Sequence, residues 1–298
     1  MKQKKIKSWQ RKPIVLYIIS GLVLLFLVLP ILIVIPMSFT SGTMLSFPPQ
    51  GFSFRWYENF FESTNWVRAA LTSVKIALTT MVCSLTLGTL GALGVYKKVM
   101  VKTKWPKLMM QIPMMIPAVI VAVSMYKVFG VAGIVGKFWT VVVAHTCLAI
   151  PMVVTLMSAG LAGLDVSQYD AARVLGATNF QAVMRVVLPL VKPSLLSSCL
   201  FGFITSFDES VLVLFITTNS TMTLPRLMFA DLKYGISPSL AAISTMLICI
   251  TLFFFLLSQL IASLSPAQKA LRKQKKIELE MTRREEEKRK AEALAEKA

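Results

Sequence analysis

Six apolar segments, each long enough to cross a bilayer, dominate this chain and leave little of it for a water-soluble core. A helix rises about 1.5 Å per residue, so a hydrocarbon layer of about 30 Å needs about 20 apolar residues. Segments near 13–38, 68–95, 108–129, 139–161, 194–216 and 239–263 meet that length. Lipid offers the backbone no hydrogen bonds, so each segment is expected to be helical. The fold class expected is all-α, a polytopic membrane protein with six transmembrane helices. The first apolar run, Pro13 to Phe39, follows a basic start as a signal peptide would, but it is too long and lacks a small-residue exit site. It is expected to be retained as the first span.

An even number of spans puts both termini on one side, and charge selects that side. Lys and Arg number 6 in residues 1–12, 5 in 96–107, 3 in 162–193 and 11 in the tail from 264. The opposite loops carry Arg55, Lys137, Arg226 and Lys233, with Arg68 at a boundary. Positive loops stay in the cytoplasm, so both termini are expected there, in a multi-pass protein of the cell inner membrane. The organisation expected is a basic cytoplasmic N-terminus over 1–12, a six-span domain over 13–263 with a cytoplasmic loop at 162–193, and a charged cytoplasmic tail over 264–298. The same asymmetry accounts for the net charge of +18 without a nucleic-acid partner.

Other features have plain explanations. Cys83, Cys147, Cys199 and Cys249 all lie in apolar segments without metal-type spacing, and are expected to be buried free thiols. The external loop at 39–67 carries Phe52, Phe54, Trp56, Tyr57, Phe60 and Phe61, a composition suited to a helix in contact with membrane lipid. His145 is the single histidine and suits an interhelical hydrogen bond better than a proton relay. Gly130, Gly133, Gly136 and Lys137 lack phosphate-loop spacing, and the methionines suit apolar packing better than a metal path. No catalytic residue, metal site or cofactor of the chain's own is expected.

The 162–193 loop is densely punctuated. Ser167 with Asp170 three residues on resembles a capping box, and Gly176 can take the left-handed conformation that closes a short helix. Thr178 with Gln181 opens a second helix, expected to run toward Leu188 before Pro189 and Pro193 bend the chain into the fifth span. An acid at a helix start favours the helix dipole, paired alanines let a partner surface approach closely, and glycine permits the turn.

The spacing Asp170-Ala171-Ala172, three residues, Gly176, nine residues, Val186, one residue, Leu188-Pro189 resembles the EAA loop of ABC importer permeases. Asp170 stands where glutamate is usual, and Val186 where isoleucine is usual. The resemblance implies the type I ABC importer permease fold. It also implies that Asp170, Ala171, Ala172, Gly176, Leu188 and Pro189 couple the chain to a pair of cytoplasmic ABC ATPases, which use ATP and Mg. Further implied partners are a second permease subunit of different sequence and an extracytoplasmic solute-binding protein. The chain itself would be a non-catalytic transport subunit working by alternating access.

Three stretches extend the likeness: Gly51 to Tyr57, Ser206-Phe207-Asp208-Glu209-Ser210, and Thr223 to Phe229 leading to Ser237-Pro238. They most resemble the second permease of spermidine/putrescine importers, and more weakly permeases for ferric iron, opines and phosphonates. Asp208 and Glu209 fall within the expected fifth span, where an acid costs about 2.5 to 3.5 kcal/mol. One of them is expected to line the solute path and the other to point away, since adjacent helical positions diverge by about 100°. A structural interhelical hydrogen bond is the competing role. A self-sufficient secondary carrier would call for paired broken helices or more intramembrane charge, and a membrane scaffold would make the loop spacing incidental.

Overall fold

The computed structural model describes residues 14–96, 105–233, 235, 237–263 and 280–281. The basic N-terminus and nearly all of the charged tail lie outside these. Among the described residues regular structure is entirely helical. The described residues fall into two compact units, one within 1–67 and 227–250, the other within 68–226 and 251–298.

In the first unit, α1 (Ile14–Met37) has no buried residue, as expected of an apolar helix whose neighbour is lipid. The chain then turns through Ser38, whose hydroxyl lies 2.6 Å from the Tyr57 hydroxyl. The ring of Phe39 stacks on Phe52 at 5.0 Å and meets Phe54 edge-on at 5.5 Å. The aromatic segment forms helix α2 (Arg55–Glu62), pinned where the Trp56 indole N–H donates to the Thr40 carbonyl at 3.0 Å.

The second unit holds most of α3 (Thr64–Tyr96), then α4 (Trp105–Met115), α5 (Ala118–Val131) and α6 (Phe138–Ala162). Four helices are individually long and apolar enough to span: α1, α3, α6 and α13 (Pro238–Ser263). The count reaches six when each of two bent pairs is taken as one span. The first bent pair divides the third expected segment, 108–129, into two helices. Residues Leu108–Met115 and Ala118–Val131 meet at 101°, because Pro117 forces Ile116 out of helical conformation and itself caps α5 at ψ 130°.

After α6 come α7 (Val166–Val174), α8 (Asn179–Ala182), a π-helical turn (Val183–Val187) and α9 (Leu188–Leu190). They lead into α10 (Lys192–Phe207), α11 (Val211–Ile216) and α12 (Leu224–Leu232). The second bent pair joins Asn179–Leu190 to Lys192–Phe207 at 79°. The fifth segment is therefore not a continuous helix over 194–216. It stops at Phe207, about 24 Å of helix from Lys192, and restarts at Val211.

Two apolar clusters hold this unit together. One joins Ile76 of α3, Ala122 of α5, Val141, Val142 and Ala144 of α6, and Leu212 and Ile216 of α11. The other joins Ala92, Val153, Met157 and Leu161 to Val187 and Val191, with Tyr169 and Leu188 packed against it. It seats the base of the 162–193 loop firmly on α3 and α6.

Candidate functional site

The loop between α6 and α10 is built from local signals that satisfy nearly every helix end. Asp165 caps α7, its carboxylate accepting the Ser167 N–H at 2.9 Å. That backbone hydrogen bond holds the Asp165 carboxyl below its usual range. The cap is thus Asp165 and not the expected Ser167, since a charged carboxylate two residues upstream is the stronger acceptor for the first free N–H groups. Asp170 consequently falls in the middle of α7, and the favourable interaction with the helix dipole belongs to Asp165.

The end of α7 matches expectation. Gly176 has φ +89°, the Ala177 N–H reaches the Ala172 carbonyl at 3.1 Å and the Gly176 N–H reaches the Arg173 carbonyl at 3.1 Å. This pair of bonds is the Schellman closure. The Arg173 guanidinium donates to the Ala177 carbonyl across the same turn. The next helix opens with the expected capping box. Thr178 accepts the Gln181 N–H at 3.2 Å, and Gln181 accepts the Thr178 N–H at 2.9 Å. Tyr169 donates to Asn179 at 2.7 Å and so fastens α7 to α8. Pro189 does not end the helix. The ladder widens to a π-turn over Val183–Val187 ahead of it, and the bend comes at Val191.

The resulting knob is polar where it is knotted and apolar where it projects. Asp170, Ala171 and Gly176 are exposed, and Ala172 is half-buried. Beside them Val174 and Leu175 are each 87% exposed, Phe180 72% and Met184 48%. The sequence indicated an apolar side to this loop but assigned none of these four side chains a role. The signal was available: apolar residues placed at the closing glycine of a short helix have no helical face on which to bury. Leu188 and Pro189 divide differently, Leu188 packing inward on the second cluster and Pro189 staying exposed.

At the other candidate position, α10 ends with Asp208 as its C-cap, at φ −91° and ψ 0°. Glu209 turns back to cap α11, its Oε1 accepting the Val211 N–H at 2.7 Å and the Leu212 N–H at 2.9 Å. The two acids therefore differ not by 100° around one helix but by their role in a break between two. Asp208 is exposed and its carboxylate makes no hydrogen bond among the described residues, while Glu209 is half-buried and engaged. Helix α6 lies along both sides of the break. His145 Nδ1 is 2.8 Å from the Ser206 hydroxyl, the expected interhelical bond, and both residues are buried.

Beyond α11 the chain is tied back at several points. The Ile216 carbonyl accepts the Gly136 N–H at 3.0 Å, and the Thr221 hydroxyl donates to the Gly136 carbonyl at 3.1 Å. Arg226 donates to the Thr217 hydroxyl at 2.8 Å. Among the described residues there is no cluster of three or more His, Cys, Asp or Glu side chains suited to a metal. All four cysteines are free thiols, three half-buried and Cys249 exposed on a membrane helix, where burial had been expected.

Comparison with known proteins now becomes decisive. The sequence profile of the family described as "Binding-protein-dependent transport system inner membrane component" matches residues 84–265. The chain belongs to this family. Among curated permeases it is similar to the spermidine/putrescine transport system permease protein PotC of Haemophilus influenzae, with 33% identity over 79% of this chain and 91% of that protein. PotC of Escherichia coli K12 is 30% identical, covering 80% and 89%. The putrescine transport system permease protein PotI of the same strain is 28% identical, covering 75% and 82%. The permease fold recurs in a chain of a bacterial ABC transporter that imports the acidic polysaccharide alginate, at TM-score 0.63 and 18% identity over 83% of this chain and 94% of that one. It recurs also in the inward-facing MetNI methionine ABC transporter, at TM-score 0.56 and 17% identity over 66% and 94%. The chain is an inner-membrane permease of an ABC importer, and it works in association with other components of such a transporter.

Proposed function

We propose that this permease forms part of the translocation path for a polyamine, spermidine or putrescine, and that Asp208 supplies a negative charge along that path. The observation that carries the reading is the exposed carboxylate of Asp208 at the break between α10 and α11, without a hydrogen bond among the described residues. An acid facing lipid at that depth would cost about 2.5 to 3.5 kcal/mol, so its exposed side must meet water, solute or another subunit. A linear polycation favours such a place. The names of the curated relatives support the same solute class.

Energy enters from outside the chain. The knob formed by α7 and α8 docks on a cytoplasmic ATPase, with Asp170, Ala171 and Gly176 at the contact and Val174, Leu175 and Phe180 supplying its apolar surface. ATP and Mg²⁺ act on that partner, and this chain is non-catalytic. A second permease subunit completes the path, and an extracytoplasmic binding protein delivers the solute. Both termini of this chain are cytoplasmic. ATP-driven closure of the ATPases moves the docked knob, whose seat on α3 and α6 passes the displacement to the spans.

Uptake of radiolabelled spermidine into vesicles holding the assembled transporter tests the path. Asp208→Asn should reduce kcat/KM about tenfold, the scale of one charge-assisted contact. Glu209→Gln retains an amide oxygen that can accept from Val211 and Leu212, so its loss should be smaller. Wild-type uptake by Asp208→Asn would remove Asp208 from the path.

A further inference from the structure

The carboxylate of Asp208 is not held by any hydrogen bond of its own among the described residues, yet it sits at a backbone break where position is everything. What fixes the break is α6. Upstream of Asp208 by two residues, Ser206 is 4% exposed and lies 2.8 Å from His145 Nδ1, itself 1% exposed. Downstream, Leu212 and Ile216 of α11 pack in one cluster with Val141, Val142 and Ala144, the residues just before His145 on α6. One stretch of α6, residues 141–145, therefore reaches both ends of the interruption: α11 by apolar contact and the last turn of α10 by the His145–Ser206 hydrogen bond. The apolar side is spread over several side chains. At the end of α10, the bond between His145 and Ser206 is the one side-chain hydrogen bond to α6 among the described residues. The Glu209 cap completes the arrangement by fixing where α11 begins.

We infer that His145 is a positioning residue for solute transport: through Ser206 it sets the end of α10, and so the place of the Asp208 carboxylate along the path. The inference rests on the reading of Asp208 as a path residue, although the placement itself can be measured without any polyamine. His145 touches no solute. Its removal shifts the break rather than deleting a binding group, so solute affinity falls while turnover at saturation largely persists.

The test uses the assembled full-length transporter in vesicles, with His145→Leu, Ser206→Ala and His145→Asn compared with the parent. An asparagine amide falls close to the position of His Nδ1 and can renew the bond to Ser206. Spermidine uptake by His145→Leu and Ser206→Ala should show an apparent KM raised about tenfold, the equivalent of one lost contact, with Vmax within about threefold of the parent. His145→Asn should return KM to near the parent value. A second readout omits solute: Asp208→Cys is placed in a background with Cys83, Cys147, Cys199 and Cys249 replaced by alanine, and its rate of reaction with a water-soluble thiol reagent is measured. Adding His145→Leu or Ser206→Ala should change that rate about fivefold or more, and His145→Asn should restore it. Should His145→Leu fail to assemble, Ser206→Ala carries the comparison alone. An unchanged labelling rate in an assembled variant overturns the positioning role. Wild-type uptake by Asp208→Asn, with labelling still dependent on His145, overturns the path reading and leaves the positioning of the break intact.

Discussion

Single residues decide the shape of the 162–193 loop, and two of them make measurable predictions. The Ser167 backbone N–H holds the Asp165 carboxyl below its ordinary value of 3.8. A depressed carboxyl contributes stability that is fully present above the unfolded value and is lost as pH falls through the folded one. Hydrogen exchange over α7, corrected for its intrinsic pH dependence, should therefore rise as pH falls below 3.8, and Asp165→Asn should abolish that step. Gly176 has φ +89°, and a Cβ built on it meets nothing within 4 Å. Gly176→Ala should cost the loop about 1 kcal/mol of backbone strain with little effect on uptake. Gly176→Trp should leave the spans folded and abolish ATP-driven uptake, because the ring projects from the docking face. Equal uptake by the two variants would refute the docking role. The glycine and the Thr178 box were legible in the sequence because both are local. The Asp165 cap was not, since Ser167 with Asp170 offered a second start in the same register and only the backbone geometry separates them.

At the scale of elements, length and hydropathy locate the apolar segments but not their interruptions. Pro117, which restricts Ile116, carries the signal for the α4–α5 bend, although 108–129 was read as one segment. No comparable marker announces the end of α10. Asp208 and Glu209 were legible as intramembrane acids, but their division into an exposed carboxylate and a helix cap depends on where the free N–H groups of α11 point. Helix approach was equally hidden. A Cβ on Gly88 of α3 would lie 2.6 Å from Val153 Cγ1 of α6, so this glycine lets the two helices close together. Gly88→Leu should destabilise the permease by about 1 to 3 kcal/mol. Thermal unfolding of the detergent-solubilised protein reads this directly, and an unchanged midpoint would mean that the helices separate without penalty.

For the molecule as a whole, a sequence that is mainly apolar yields a helical membrane protein with two candidate sites. One is the knotted loop of α7 and α8, seated on the spans and presenting Val174, Leu175 and Phe180 outward. The other is the helix break at Asp208, bracketed by α6. The motif spacing located the first before any coordinates, although the apolar side chains that give it a surface emerged only from the fold. The proposed account stands on a partner that hydrolyses ATP. The most direct measurement is purification of the tagged chain in mild detergent, with co-purifying subunits identified by mass spectrometry and their ATP hydrolysis assayed, for wild type and for Phe180→Asp. The account predicts an ATPase and a second permease with the wild-type chain, and loss of the ATPase alone with the variant. A single purified chain that transports solute unaided would contradict it.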